Sequence, residues 1–474
     1  MRARFFIRIP ILITALFFGL ALAPATAQQT ELLSADQRAA IDKAATEALK
    51  ASGTPSASIA VVKDGKLAYA RAYGNAKLEP PTPATPEMRY SIGSNSKQFT
   101  ATAILILAEQ GKLSLDDKVA RFLPGLTRAN EVSIRQLLNM TSGYQDYWPQ
   151  DYVMPNMLKL VTAQQIMEGW ARKPLDFEPG AKWQYSNTNY VIAGQIVQQA
   201  SGQDLYTFLQ QRMFQPLGMT TVANVDRAPL PASDPTGYQR FALGPLHPAP
   251  KEGPGWLDAA GELAMTPSDL ARWDIAMMDK KLLKPGSYKQ QQTATLLNSG
   301  VAYPYGLGVF VRAPGGRRII AHGGEVSGFT STNNVYPDDK AAVVVFTNQD
   351  AVGTPDTIAD AVAKVLFADT DPATKTATER ARQIFMGLEQ GKLDRSQFTD
   401  NANFYFSEVA LHDLQTSLAQ CGEPKEFASL GPRGERGGMF ARAWRVSCGE
   451  QKLRVWTFEL PDGKLEQYQI APME

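Results

Sequence analysis

The sequence predicts an α+β protein, because strand signals near residues 56–73 and again at 306–347 enclose a long helical stretch. A shorter helix-then-strand segment follows. With 474 residues, 44% of them apolar, the chain is long enough for two or three domains, each with its own core.

Ser34-Ala35-Asp36-Gln37 opens a capping box, and Ile41, Ala45 and Leu49 recur at helical spacing, which predicts a first helix ending near Ala51. Ser56 to Val62 is rich in strand formers, Asp64-Gly65 is a hairpin turn, and Lys66 to Tyr73 returns as a second strand. Similar signals reappear at Gly306–Val311, at Arg318–His322 after Pro314-Gly315-Gly316, at Gly328–Val335, and at Ala341–Thr347 after Pro337-Asp338-Asp339. A helix from about Thr357 to Phe367 closes this block. Capping chemistry starts helices at Ser133, Thr162, Asp204 and Thr266 between the two strand regions. The ends then build one antiparallel sheet, the insertion packs beside it, and a cleft forms at their junction.

Residues 371–378 are small and polar and read as a linker, which makes 28–370 one domain and 379–474 another. The second domain starts with helices over Glu379–Gln390 and Leu411–Ala419, separated by the short aromatic segment Phe398–Phe406. Strands follow at Phe440–Val446, Leu453–Glu459 and Leu465–Ile470. In element order this module resembles the cone-shaped α+β folds of the nuclear-transport-factor-like class.

Arg2, Arg4 and Arg8 precede an apolar run from Ile9 to Ala23, and Ala25-Thr26-Ala27 offers small residues for cleavage, so residues 1–27 read as an export signal. The run falls short of the roughly 20 residues a spanning helix needs. The protein is therefore expected in the periplasm or outside the cell, with no membrane attachment after cleavage. Removing the signal moves the formal charge from +1 to −2, which gives no global reason to expect nucleic acid or an anionic membrane as partner. Cys421 and Cys448, the two cysteines, can join in an oxidising compartment; two buried free thiols are the alternative. Without nearby histidines they supply too few ligands for a metal.

The sharpest chemical signal is Ser94-Asn95-Ser96-Lys97, followed by a helical run to Gln110 that Gly111 ends. A spacing of three puts hydroxyl and amine on one helical face, where a desolvated lysine can activate a weak nucleophile. The spacing alone is common, and a capped surface helix is its ordinary meaning. Tyr185-Ser186-Asn187 stands at another helix start, where a phenol and an amide can enter one pocket or simply pack and cap. His322-Gly323-Gly324 ends a predicted strand, and its glycines let a ligand backbone approach. Tyr144, Trp148 and Tyr152 either rim the cleft or pack. His247 and His412 lie far from His322 in sequence and read as structural or surface residues.

With these three elements in order, the chain from Glu31 to Phe367 resembles the serine hydrolases that include class C β-lactamases, penicillin-binding peptidases, D-aminopeptidases and related esterases. Gly111–Asp117, Leu137–Gly143, Gln215–Met219 and Ala260–Trp273 also carry the resemblance. It implies a β-lactamase/transpeptidase-like fold: an antiparallel sheet flanked by helices, with an inserted helical subdomain. It further implies an acyl-enzyme on Ser94, activation by Lys97, proton transfer by Tyr185, substrate binding by Asn187, and an oxyanion site from the NH groups of Ser94 and Glu325. No metal and no cofactor are implied. Where the lactamases carry Lys-Thr-Gly, this chain has His322-Gly323-Gly324. An unperturbed histidine is mostly neutral at pH 7 and suits a substrate carboxylate less well than lysine. Hydrolysis of a peptide amide or ester is therefore expected ahead of β-lactam hydrolysis. A catalytically quiet binder of peptidoglycan fragments is the other alternative.

Overall fold

The computed structural model describes residues 1, 32–367, 372–422, 424, 426–430 and 433–473. The expected export signal at 1–27 lies outside the described residues except for Met1.

Seven strands build the central antiparallel sheet: β1 (Ser56–Lys63), β2 (Lys66–Leu78), β3 (Pro81–Pro83), β4 (Phe310–Arg312), β5 (Ile319–Val326), β6 (Phe329–Tyr336) and β7 (Ala341–Thr347), in the order β4-β5-β6-β7-β1-β2-β3. The two ends of the domain meet in the middle of this sheet, with Ala57 opposite Thr347 and Val62 opposite Ala342. Asp64 and Gly65, at φ 52° and 70°, make the tight turn between β1 and β2, the conformation that lets a two-residue loop follow the sheet's twist.

Both faces of β1 are covered. Ile59, Val61, Val343 and Val345 pack against Ile41 and Leu49 of helix α1 (Ala35–Ser52) and Ile358 and Val362 of the closing helix Thr354–Phe367. Ala60, Val62, Val344 and Phe346 join the opposite core, which takes in the helical insertion. At its centre lies α2 (Lys97–Glu109), whose residues 97–105 are all buried. Its buried polar residues, Lys97, Gln98, Thr100 and Thr102, each find a hydrogen-bond partner there.

Two sequence expectations shift. The strand expected from Gly306 starts only at Phe310, because Gly308 sits at φ +76° and residues 306–309 form a turn. The strand expected to end at His322 runs on through both glycines to Val326, pairing continuously with β6.

A third is corrected. Residues 372–378, read as linker from composition, are helical and open the helix Pro372–Glu389. Trp444 Nε1 donates to Thr378 Oγ1 at 2.8 Å and Ala377 packs on the second core, so these residues belong to the C-terminal domain. That domain adds helices Asp400–Tyr405 and Glu408–Leu418 before an antiparallel sheet of five strands ending with Met439–Cys448, Gln451–Glu459 and Leu465–Pro472. A disulfide joins Cys421 to Cys448, stapling the end of the last helix to the sheet. No helix among the described residues is long and apolar enough to cross a membrane.

Candidate active site

The turn that carries Ser94 is a short 3-10 segment, Gly93–Ser96, that runs directly into α2. Buried polar bonds tie it to the sheet: Asn95 Nδ2 donates to Ser331 Oγ at 2.8 Å, and Ser331 Oγ donates to the Ile92 carbonyl at 2.8 Å. Gly93 (φ +51°) and Gly324 let this turn lie against β5. A Cβ on Gly324 would stand 1.9 Å from the Ile92 carbonyl, and one on Gly93 would stand 2.7 Å from the Glu325 nitrogen. The NH of Glu325 therefore lies beside the residue that precedes Ser94.

Four of the residues singled out in the sequence converge. Lys97 Nζ lies 2.8 Å from Ser94 Oγ, 2.8 Å from Asn187 Oδ1 and 2.9 Å from the Ala260 carbonyl. The Tyr185 hydroxyl donates to Ser94 Oγ at 2.8 Å. Asn187 opens α3 (Asn187–Ser201) as its first residue, with Ser186 in the capping position, so its amide is free to face Lys97.

Burial sets the protonation states. Lys97 is fully buried, and desolvation lowers its pKa from 10.5 to about 7, against an opposing pull from Asp146. Burial pushes Tyr185 well above the ordinary phenol value, so it stays a proton donor. At neutral pH the amine, not the phenol, is the group able to accept the serine proton.

His322 lies in the same wall but does not reach Ser94 through a hydrogen bond. Its Nδ1 faces the Gly323 carbonyl, which can only accept, so Nδ1 carries the proton and Nε2 accepts from the Tyr305 hydroxyl at 3.1 Å. Desolvation, helped by the charge of Lys97, lowers its pKa to about 3. Both ring nitrogens are thus occupied and the ring is neutral.

Two members of the site were assigned no role by the sequence. Asp146 accepts from the Asn187 NH at 2.9 Å and from Asn187 Nδ2 at 3.3 Å. The Ala260 carbonyl belongs to the short helix Asp258–Gly261. Both stand in or beside segments that carried the resemblance, Leu137–Gly143 and Ala260–Trp273.

The site opens into a cleft of about 950 Å³ between sheet and insertion. Trp148 and Tyr152 line it, whereas Tyr144 is buried and donates to the Thr127 carbonyl. Among the described lining residues are five carboxylates, Asp146, Asp151, Glu325, Asp350 and Asp356, and one arginine, Arg240. No group of three or more His, Cys, Asp or Glu among the described residues is placed to hold a metal.

The Beta-lactamase family model matches residues 41–367, well over half of the chain and all of the site. The chain belongs to the beta-lactamase family. Within it, the chain is 30% identical over 303 residues to a D-aminopeptidase of Brucella anthropi, covering 62% of this chain and 56% of the relative. It is 28% identical over 311 residues to penicillin-binding protein 4* of Bacillus subtilis, covering 62% and 68%. The chain thus spans little more than half the length of the first of these beta-lactamase relatives. Among solved structures it resembles a D-stereospecific amidohydrolase from Streptomyces sp. (27% identity, TM-score 0.61, 70% of this chain and 99% of that one). An octameric penicillin-binding protein homologue from Pyrococcus abyssi shares the fold over 91% of this chain and 99% of its own, with TM-score 0.62 and 21% identity.

Proposed function

We propose that this protein is an exported serine hydrolase that forms an acyl-enzyme on Ser94 and cleaves the amide or ester bond of a small amine-bearing substrate, of the D-aminoacyl amide or peptide type. The observation that carries the reading is the position of Ser94 Oγ, 2.8 Å from a neutralised amine and 2.8 Å from a phenol donor. Lys97 takes the serine proton as Oγ bonds to the substrate carbonyl. The NH groups of Ser94 and Glu325 stabilise the oxyanion. On collapse the carbon–nitrogen or carbon–oxygen bond breaks, and the leaving group takes a proton from Lys97 or Tyr185. Water, deprotonated by the same pair, then releases the acyl group.

The cleft's charge supports the substrate class. Five carboxylates against one arginine favour a cationic amine, and a neutral, fully hydrogen-bonded His322 offers nothing to a substrate carboxylate. The names of two similar proteins, the D-aminopeptidase and the D-stereospecific amidohydrolase, agree with it. Export rests on the sequence of residues 1–27.

Hydrolysis of D-aminoacyl amides, D-Ala-D-Ala peptides, short esters and β-lactams by the purified protein tests the reading. Turnover is expected first with the amine-bearing amides and should vanish in Ser94→Ala. Turnover that survives this substitution refutes the mechanism. Fast nitrocefin hydrolysis would make the protein a β-lactamase instead, and failure of a fluorophosphonate to label Ser94 would make it a binding protein.

A further inference from the structure

We infer that Asp146 is a positioning residue that fixes the direction of the proton relay, acting through Asn187 so that the lone pair of Lys97 points at Ser94. This rests on the reading of Lys97 as the base in the proposed function.

The argument is a count of donors. A neutral lysine amine has two hydrogens and one lone pair, and Lys97 Nζ has three oxygen neighbours, Ser94 Oγ, Asn187 Oδ1 and the Ala260 carbonyl. A backbone carbonyl can only accept, so Ala260 takes one hydrogen. An asparagine side chain can present either end, and nothing in its own structure decides which. Asp146 decides it. A carboxylate only accepts, so its contact with the Asn187 amide selects Nδ2 on that side and turns Oδ1 toward Lys97. The second hydrogen goes to Asn187, and the lone pair is left for the Ser94 hydroxyl, which receives its own hydrogen bond from Tyr185. Turning the amide would set Oδ1 against the Asp146 carboxylate, two acceptors facing each other, and would draw the Lys97 lone pair to Nδ2 and away from Ser94.

Asp146 is itself anchored for this task. It caps the start of α3 by accepting the Asn187 NH and also accepts the Trp148 NH at 3.2 Å, so its loop is tied to the helix that carries Asn187. Other elements face Lys97 with Tyr185 and Tyr190, whose rings flank the amine at 4.9 and 5.6 Å, and with the neutral His322. None of these supplies an anion. Among the groups that perturb Lys97, Asp146 is the one carboxylate, and its charge favours the protonated amine.

The test is the rate at which a fluorophosphonate labels Ser94, followed against pH in the parent, Asp146→Asn and Asp146→Glu, with a thermal melt of each to establish folding. In Asp146→Asn the amide lock and the charge both go. The plateau rate should fall roughly tenfold or more, and the acidic limb should move down by about half a pH unit or more because Lys97 loses its anionic neighbour. Asp146→Glu retains both acceptor and charge, and its limb should stay with the parent's. A folded Asp146→Asn protein whose limb does not move overturns the inference, as does an Asp146→Glu limb that moves as far. A parent protein that is not labelled at all refutes the acyl-enzyme reading itself, and this inference with it.

Discussion

Replacing Lys97 by methionine reports directly on whether the site holds a neutral amine. Methionine keeps the apolar stem in a fully buried position but removes the nitrogen. The loss leaves Asn187 Oδ1 and the Ala260 carbonyl without their partner, at about 1–3 kcal/mol each. Against this, lowering the lysine pKa from 10.5 to about 7 costs the folded state about 4 kcal/mol at pH 7, a cost the variant does not carry. The two effects largely offset, so the variant should unfold within about 2 kcal/mol of the parent at that pH while losing all acylation. The pH dependence separates the possibilities. Between about 7 and 10.5 the unfolded parent binds the lysine proton and the folded parent does not, so the parent's stability rises with pH in this window and the variant's lacks that rise. Urea unfolding at pH 7 and at pH 9 should show the parent gaining about 2 kcal/mol relative to the variant. A difference that stays flat would mean that Lys97 keeps its proton in the folded protein, and Lys97 could not then be the base.

The same lysine sets the rate profile: acylation should decline with a single acidic limb near pH 7, and His322 should add no second limb above about pH 3. Tyr185→Phe removes the donor to Ser94 and should lower kcat/KM roughly a hundredfold to ten-thousandfold with little change in melting temperature. Gly324→Ala places a methyl group on the Ile92 carbonyl; calorimetry should show a loss of about 1–3 kcal/mol, and kcat should fall as the Glu325 NH is displaced from Ser94. Replacing both Cys421 and Cys448 by serine opens a loop of 27 residues and should destabilise the C-terminal domain by about 3 kcal/mol without changing Ser94 labelling, read by limited proteolysis alongside the probe.

What was legible in the sequence was local chemistry. The capping box at Ser34, the turn at Asp64-Gly65 and the spacing of Ser94 and Lys97 each express their function within a few residues, and each stands in the structure where it was placed. The limits of β5 were not legible, because His322-Gly323-Gly324 looks like a strand end until β6 pairs with it. Residues 372–378 have the small, polar composition of a linker, and the contact that ties them to the C-terminal sheet comes from Trp444, 66 residues beyond Thr378. The Ala260 carbonyl carries no side-chain signature, and Asp146 is one loop carboxylate among many until the fold brings it to Asn187.

The pairing of Ala57 with Thr347 also dictates an order of events during synthesis. Strands β1 and β2 can zip together as soon as they emerge, but the other edge of β1 stays open until β7 is made, with Thr347 lying 290 residues beyond Ala57, and contacts across so long a separation form late. The central sheet, and with it the wall that carries His322 and Glu325, therefore cannot close until nearly the whole catalytic domain is present. For anyone shortening the protein, this means that a fragment ending before Thr347 leaves β1 an exposed apolar edge prone to aggregation, and that a functional truncation must keep the chain to Phe367.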